Sequence, residues 1–366
     1  MSPVHTVGII GAGVNPGSAK QVGAWLKENM NAASLASWPR TAKGALATNA
    51  SAWKARPDVP VSAAMLSYKR ARTRLNSFGE KYRQHIHPVT GRMHASFRLG
   101  GIVSGRIACS KPNLQQVPRE PEFRALFMPG DGRVLVVADY SQIELRVAVL
   151  LSKDASMLQA YRDGMDIHRA TAAAMLDIRP EEVTSTQRTQ AKALTLGTLY
   201  GSGPMGLAKS ARDSYGVGMT VKQAEAFQAK FYGTYPALRC WQQRIAKTSG
   251  RSGIVATPGG RRRDFRSEKA GWKYTEAVNT PGQAGAAEVM LEALAVLQEG
   301  LSDSQARLVN MVHDELVVET RTDEAESVRR IVEDSMRIGF TRLFDAPYML
   351  HDLVESGIGA SWADAK

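Results

Sequence analysis

An α+β fold is predicted by three features of this 366-residue chain. Two short apolar runs of strand character, Leu135-Val136-Val137-Ala138 and Val309-Asn310-Met311-Val312, each deliver an Asp near their end, Asp139 and Asp314. Apolar character resumes at once after the second, in Leu316-Val317-Val318, as in a tight hairpin. Between the two lies a long tract, Ser141 to about Arg251, that reads as several helices divided by Pro180, Gly201 to Pro204, Gly216 and Pro236. Strands kept apart by a helical block suit an α+β architecture better than an alternating α/β one.

Taken in order, Thr6-Val7-Gly8-Ile9-Ile10-Gly11-Ala12-Gly13 has the outline of the strand and glycine turn of a dinucleotide-binding unit. The outline then fails: Asn15-Pro16 falls where a helix should open, the third glycine is missing, and no acid follows about 20 residues on in a strand. Ser18 to about Asn31 predicts a helix, and Ala32 to Pro60, poorly periodic and rich in Ala, Ser, Thr and Pro, a loop with short helical pieces. Val61 to Arg83 predicts a strongly basic helix. His85 to Pro129 is punctuated by Pro88, Gly91, Gly100, Gly101, Gly105, Pro112 and Pro118, which predicts turns and short strands. Beyond the helical tract, Pro258 to Arg263 predicts a turn, Thr275 to Gly300 a helix, and about Asp323 to Phe344 a last helix after the hairpin.

Length and 43% hydrophobic content support sizeable cores in two or three domains. Cys109 and Cys240 are too few for a disulfide framework and too far apart for a zinc pair, so a reducing compartment is expected. Apolar stretches are broken before about 18 residues and no secretion signal is visible, so the expectation is a soluble intracellular protein without a membrane partner. The net charge of +12 is concentrated in residues 1–100, where 14 Lys or Arg face three acids, Glu28, Asp58 and Glu80. Lys69, Arg70, Arg72 and Arg74, with Tyr82 and Arg83 beyond them, suit a phosphate backbone.

The two Asp-bearing strands carry the chemistry. As neighbours about 4.8 Å apart they bring Asp139 and Asp314 close enough to share divalent ions, and two carboxylates on a metal pair is what nucleotidyl transfer needs. Between them, Arg188, Lys192, Thr195, Leu196 and Leu199 share one helical face. Two cations one turn apart on it can grip a triphosphate while the aliphatic side chains pack on a base.

At this point Asp139-Tyr140-Ser141-Gln142-Ile143-Glu144-Leu145-Arg146, the helix with Arg188, Lys192 and Tyr200-Gly201, and His313-Asp314-Glu315 resemble the three polymerase motifs of family A DNA polymerases, the bacterial DNA polymerase I class. Ser104-Gly105-Arg106, Pro112-Asn113-Leu114-Gln115, Asp166-Ile167-His168, Gly260-Arg261-Arg262-Arg263, and Asn279 with Gln283 match as well, in order, across roughly residues 85–366. Weaker similarity to the inner part of that family's thumb reaches back to about Asn15.

The resemblance implies a right-hand fold: a partial thumb (1–84), an antiparallel-sheet palm (85–145 and 285–366) and helical fingers (146–284). It implies template-directed addition of dNTPs to a primer 3′-hydroxyl, with two Mg²⁺ ions, replaceable by Mn²⁺, held by Asp139, Asp314 and the Tyr140 carbonyl. Arg188, Lys192 and His168 would meet the phosphates, with Lys192 protonating the leaving pyrophosphate. Glu144 would close against the sugar 2′ position, Leu196 face the incoming nucleotide and Tyr200 stack at the template position. Arg106, Asn279 and Gln283 would touch the minor groove of the nascent pair, Asn113 and Gln115 the DNA, and His313 the primer strand. Glu315, adjacent to Asp314, points to the other face and is an auxiliary acid at best. The implied partners are primer-template DNA and dNTPs, with a processivity factor or separate nuclease compatible, for a monomer in the cytoplasm or nucleoid of a bacterium or virus-infected cell.

Two positions depart from the family pattern. Leu196 stands where Phe or Tyr is usual, and Met311 where Gln is frequent. The three scattered acids of residues 1–100 are too few for a proofreading nuclease, so no exonuclease activity is expected in this chain. The alternatives are a catalytically reduced remnant that only binds primer-template DNA, and a single-subunit RNA polymerase or reverse transcriptase on the same palm. The intact carboxylates and cations argue against the first, Glu144 against the second.

Overall fold

The structure, a computed structural model, describes residues 10–11, 13–216 and 218–365; the glycine-turn outline at residues 6–13 lies mostly outside them. The chain divides into two compact units, Met1–His94 and Ala95–Lys366. The division falls ten residues beyond the expected 84/85 because the 3-10 turn Glu80–His85 continues the basic helix and an Ile86↔Met93 bridge closes the loop after it.

In the first unit, α1 (Ala19–Asn29) starts at Ser18, whose hydroxyl accepts from the Gln21 N–H. The poorly periodic stretch holds two single-turn helices, α2 (Ala32–Ala36) and α3 (Ala50–Lys54), capped by Asn31 and Asn49. A small core gathers Val22, Leu26, Trp38, Trp53 and Met65. The two indoles meet edge to face at 5.1 Å, and each N–H reaches a carbonyl, Trp38 to Ala47 at 2.9 Å and Trp53 to Thr48 at 3.1 Å. Only the first turn of α4 (Ser62–Phe78) is buried, at Ser62, Ala64 and Met65. The basic remainder therefore projects beyond that core.

In the second unit, β1 (Ser96–Arg98) pairs with β2 (Ala108–Ser110), and α5 (Pro121–Arg124) leads to β3 (Arg133–Tyr140). The helical tract resolves into α6 (Ile143–Ser152), α7 (Ala155–Arg162), α8 (Ile167–Leu176), α9 (Ser185–Leu199), α10 (Pro204–Tyr215), α11 (Val221–Thr234) and α12 (Pro236–Ser252). The expected turn at Pro258–Arg263 is the end of a small hairpin, β4 (Ile254–Ala256) and β5 (Arg262–Asp264). Next come α13 (Tyr274–Gly300), β6 (Arg307–Val312), β7 (Glu315–Arg321), α14 (Ala325–Leu343) and β8 (Val354–Gly359). The expected segment boundaries at 145/146 and 284/285 fall inside α6 and α13, both continuous helices.

The main sheet runs β6-β7-β3-β8, antiparallel throughout. Val136, Ala138 and Tyr140 of β3, with Leu316 and Val318 of β7, pack into one core with α14 (Val328, Val332, Met336, Phe340) and α13 (Val289, Met290, Ala293). By the period-two alternation, Asp139 and Glu315, which are directly paired, lie on the opposite face of the sheet. One buried cation ties α6 to the chain entering the edge strand. Arg146 lies over the Tyr161 ring at 4.9 Å and donates to the carbonyls of Met349, His351 and Asp352, fixing the loop that leads into β8.

Candidate active site

β3 brings Asp139 to the edge of the site, and the β6–β7 hairpin brings Asp314 in a two-residue turn, His313-Asp314, between the paired Val312 and Glu315. The Tyr140 N–H donates to the Asp314 carbonyl at 3.0 Å, which fixes the two acid-bearing segments side by side. Both approaches are bent. His313 (φ 59°) and Gln142 (φ 55°) are in the left-handed region, where non-glycine residues cost about 1–3 kcal/mol each and which clusters at functional sites. The Asp314 carboxyl is pushed up to about 6, first by burial and then by the charge of Asp139. A carboxyl raised by the charge of a neighbouring carboxylate is a fit for hard divalent cations, which take oxygen ligands and relieve that repulsion. Among the described residues no group of three or more His, Cys, Asp or Glu is arranged to hold a metal, and a cation bound here would rest on this carboxylate pair.

The cation-bearing helix begins with a capping box, Thr184 with Gln187. Along α9, Arg188, Lys192, Leu196 and Tyr200 form the half-exposed stripe at i, i+4 spacing. Thr195 and Leu199 are buried at 0% and 4% exposure, so they belong to the core and not to that face, contrary to the expectation from helical angle. Arg188 donates through Nε to Asp166 Oδ2 at 2.9 Å, and Asp166 also caps α8 by accepting from the Arg169 N–H. Asp166 was visible only as part of a motif; its partner is 22 residues away. His168 is 1% exposed, and neither ring nitrogen has a hydrogen-bond partner among the described residues. Burial, outweighing Asp166, and then the neighbouring Lys192 and Arg188 push it down to about 4, so it stands neutral at pH 7.

Glu144, on the first turn of α6, is held at both oxygens: Arg106 donates to Oε1 and the Tyr200 hydroxyl to Oε2. Beside it lies a small recess lined by Glu144, Leu199, Tyr200, Trp241, Val278 and Asn279. Asn279 and Gln283 are half-exposed and one turn apart on α13, so they present one edge together. The tyrosine end of α9 is pinned from behind. The Gln242 amide, 1% exposed, donates to the Thr198 and Leu199 carbonyls at 3.0 and 2.9 Å, and Gln228 to Ser202 at 2.6 Å.

The remaining expected residues divide into presenters and braces. His313 is exposed on the turn, held below the usual histidine range by burial and by Arg106 and Arg119; Arg119 is a nearby cation that the motif reading did not single out. Gln115 spends its amide on the carbonyls of Ile107 and Met311, both at 3.1 Å, and the Asn113 side chain accepts from the Gln115 N–H. The bond from Gln115 to Met311 ties this turn to β6. Arg261 donates to the Val103 carbonyl at 3.1 Å and lies against Gly105 (φ 83°), where a Cβ would come within 2.5 Å of the guanidinium. That close approach sets the loop carrying Arg106, which the Gly/Arg run alone did not reveal.

In the first unit, Lys69 and Arg72 lie along one side of α4 and Arg70 and Arg74 along another. The Arg72 guanidinium sits against Gly17, where a Cβ would overlap it. The four cations therefore do not form a single row.

Similarity to known proteins extends along nearly the whole length. The description "DNA polymerase family A" matches residues 4–364. DNA polymerase I of Pseudomonas aeruginosa is 33% identical over 98% of this chain and 39% of its own length; that of Aquifex aeolicus is 33% identical over 95% and 58%. A solved structure, the POL domain of Pol1 from M. smegmatis in complex with DNA primer-template and dNTP, is similar with a TM-score of 0.85 at 26% identity, covering 99% of this chain and 63% of that one. The chain thus spans between about two fifths and three fifths of these two curated relatives. Its fold, motif order and family match agree, and the chain belongs to DNA polymerase family A.

Proposed function

We propose that the chain catalyses template-directed DNA synthesis, adding dNTPs to a primer 3′-hydroxyl with release of pyrophosphate. The observation that carries this is the Asp139–Asp314 pair, next to Glu144, which the Tyr200 hydroxyl ties to a helix whose half-exposed stripe is Arg188, Lys192, Leu196 and Tyr200. Asp139 and Asp314 would hold two Mg²⁺ ions, or Mn²⁺, with the Tyr140 carbonyl as a further ligand. Bound there, the ions would supply activation of the attacking oxygen and charge neutralisation on the leaving phosphate. Lys192 and Arg188 would take the β- and γ-phosphates, Arg188 already aimed by Asp166, and Lys192 would hand its proton to the departing pyrophosphate as the α–β bridging bond breaks. His168, neutral, would donate a hydrogen bond and no charge.

In this reading residues 1–94 are thumb-like, 95–145 with the end of α13 and residues 301–366 form the palm, and the helices between are the fingers. Two of the three acids of the first unit are already in ion pairs, Asp58 with Arg56 and Glu80 with Arg83, which supports a chain without proofreading chemistry. Primer extension tests the proposal. Extension with dNTPs and Mg²⁺, suppressed by EDTA and poor with rNTPs, is expected. DNA binding without extension would leave the binding-only remnant, and equal use of rNTPs would leave an RNA polymerase.

Two single elements carry expectations of their own. Because the α4 cations lie on two sides, replacing Lys69, Arg70, Arg72 and Arg74 together by Ala should flatten the salt dependence of primer-template binding by about two units, not four, at roughly 0.9 unit per phosphate contact; titrations between low and moderate salt measure it. At Leu196, a planar ring should add part of the roughly 1–3 kcal/mol of base stacking. Leu196→Phe is therefore expected to lower KM for dNTP severalfold without admitting dideoxynucleotides, and Leu196→Tyr to admit them, as the Tyr-bearing pattern of the family implies. Equal ddCTP use by all three proteins would mean that Leu196 does not face the incoming nucleotide.

A further inference from the structure

Glu315 is next to Asp314 in the chain and directly opposite Asp139 in the sheet register. Three acidic residues thus lie at one end of the sheet, and like charges directly opposite one another are destabilising. Glu315 nevertheless stays out of the pair. It is 2% exposed, and both its oxygens are taken: Arg124 Nη1 donates to Oε2 at 3.2 Å and to Oε1 at 3.4 Å, and Trp362 Nε1 donates to Oε1 at 2.9 Å. Arg124, 4% exposed, lies 4.2 Å over the Trp362 ring. Trp362, 1% exposed, is anchored in turn by its backbone N–H, which donates to the Phe127 carbonyl at 2.9 Å, and by an edge-to-face contact with the Phe127 ring. A buried ion pair of this kind rarely repays its desolvation in stability, so a role in specifying the site is the better account of it.

We propose that Arg124 and Trp362 are positioning residues that lock the Glu315 carboxylate away from Asp139 and Asp314 and so hold the metal-binding set at two carboxylates. The inference rests on the polymerase reading of that site. Its physical content is that the cation and the indole N–H act on the reaction through Glu315: once either is lost, the glutamate is a stray third charge beside the pair, able to compete for the ions.

The test compares Arg124→Met, Trp362→Phe and Glu315→Gln with the double variants Arg124→Met/Glu315→Gln and Trp362→Phe/Glu315→Gln in the full chain. Three quantities are read: kcat and KM for dNTP, Mn²⁺ binding to the DNA-free protein by electron paramagnetic resonance, and the melting midpoint. Arg124→Met is expected to lower kcat about tenfold with KM within about twofold, and to tighten Mn²⁺ binding severalfold; adding Glu315→Gln should return both to within about threefold of wild type, the signature of a coupled pair. Trp362→Phe, which keeps a ring under Arg124 but loses the N–H, should shift both in the same direction by less, and it carries the comparison if Arg124→Met does not fold. Double variants no better than the singles, or Mn²⁺ binding unmoved in the singles, would overturn the lock and leave a merely structural ion pair. Wild-type protein that binds Mn²⁺ but extends no primer would instead overturn the polymerase reading, with the metal-binding comparison still legible.

Discussion

Asp139→Asn and Asp314→Asn are each expected to lower kcat for primer extension by at least about 10³-fold while leaving primer-template affinity within about threefold. The asymmetry arises from where the charges are. Each substitution removes half of the carboxylate pair, whereas the basic surface of α4 is untouched. The same variants carry a second readout with opposite sign. A carboxyl whose folded-state pKa is raised binds more protons folded than unfolded, so its cost to stability is absent below the usual Asp value of 3.8, grows as pH rises, and is complete above about 6. Part of that cost for Asp314 is the Asp139 charge. Asp139→Asn should therefore raise the melting midpoint of the metal-free protein at pH 7.5 and lose that advantage toward pH 4. Retained turnover in either variant would remove the two-carboxylate site, and a midpoint that falls at pH 7.5 would show that Asp139 and Asp314 are not repelling one another.

How far the site was legible in the sequence depends on how local each signal was. Asp139 and Asp314 stood out because short apolar runs of strand character deliver them, and both the strands and the tight turn are local features. The stripe of Arg188, Lys192, Leu196 and Tyr200 was half legible. Helical spacing shows which residues share a side but not where that side is centred, and the packing of α8 and α10 against α9 decided that Thr195 and Leu199 turn inward. Alternation alone pointed Glu315 to the face opposite Asp314; its partners Arg124 and Trp362 are 191 and 47 residues away, beyond any sequence window. The edge strand β8 escaped altogether. Val354-Glu355-Ser356-Gly357-Ile358-Gly359 lacks a strand's composition because Cβ atoms at Gly357 and Gly359 would meet the backbone of residues 364–365 within about 2.5 Å, so close packing there replaces β-branched side chains with glycine.

Glu144→Ala is expected to raise the ratio of rNTP to dNTP incorporation efficiency by about 10²-fold or more, since a filled, polar site at a sugar edge rejects the wrong hydroxyl far better than an empty one. In the proposed reading, the effect of Glu144 comes from its double tether. With Oε1 on Arg106 and Oε2 on the Tyr200 hydroxyl, the carboxylate lacks the freedom to swing aside for a 2′-hydroxyl. Tyr200→Phe should therefore weaken discrimination by an intermediate factor, about tenfold, because it frees one oxygen while leaving the ring in place. Using the ratio of the two substrates cancels any general loss from disturbed template stacking. Single-nucleotide incorporation of CTP against dCTP by wild type and both variants measures it, and the order Glu144→Ala, then Tyr200→Phe, then wild type in ribonucleotide use is the expected result. Unchanged discrimination in Glu144→Ala would move the sugar edge away from this residue. A Tyr200→Phe variant indistinguishable from wild type would leave Glu144 at the sugar but assign its rigidity to Arg106 alone.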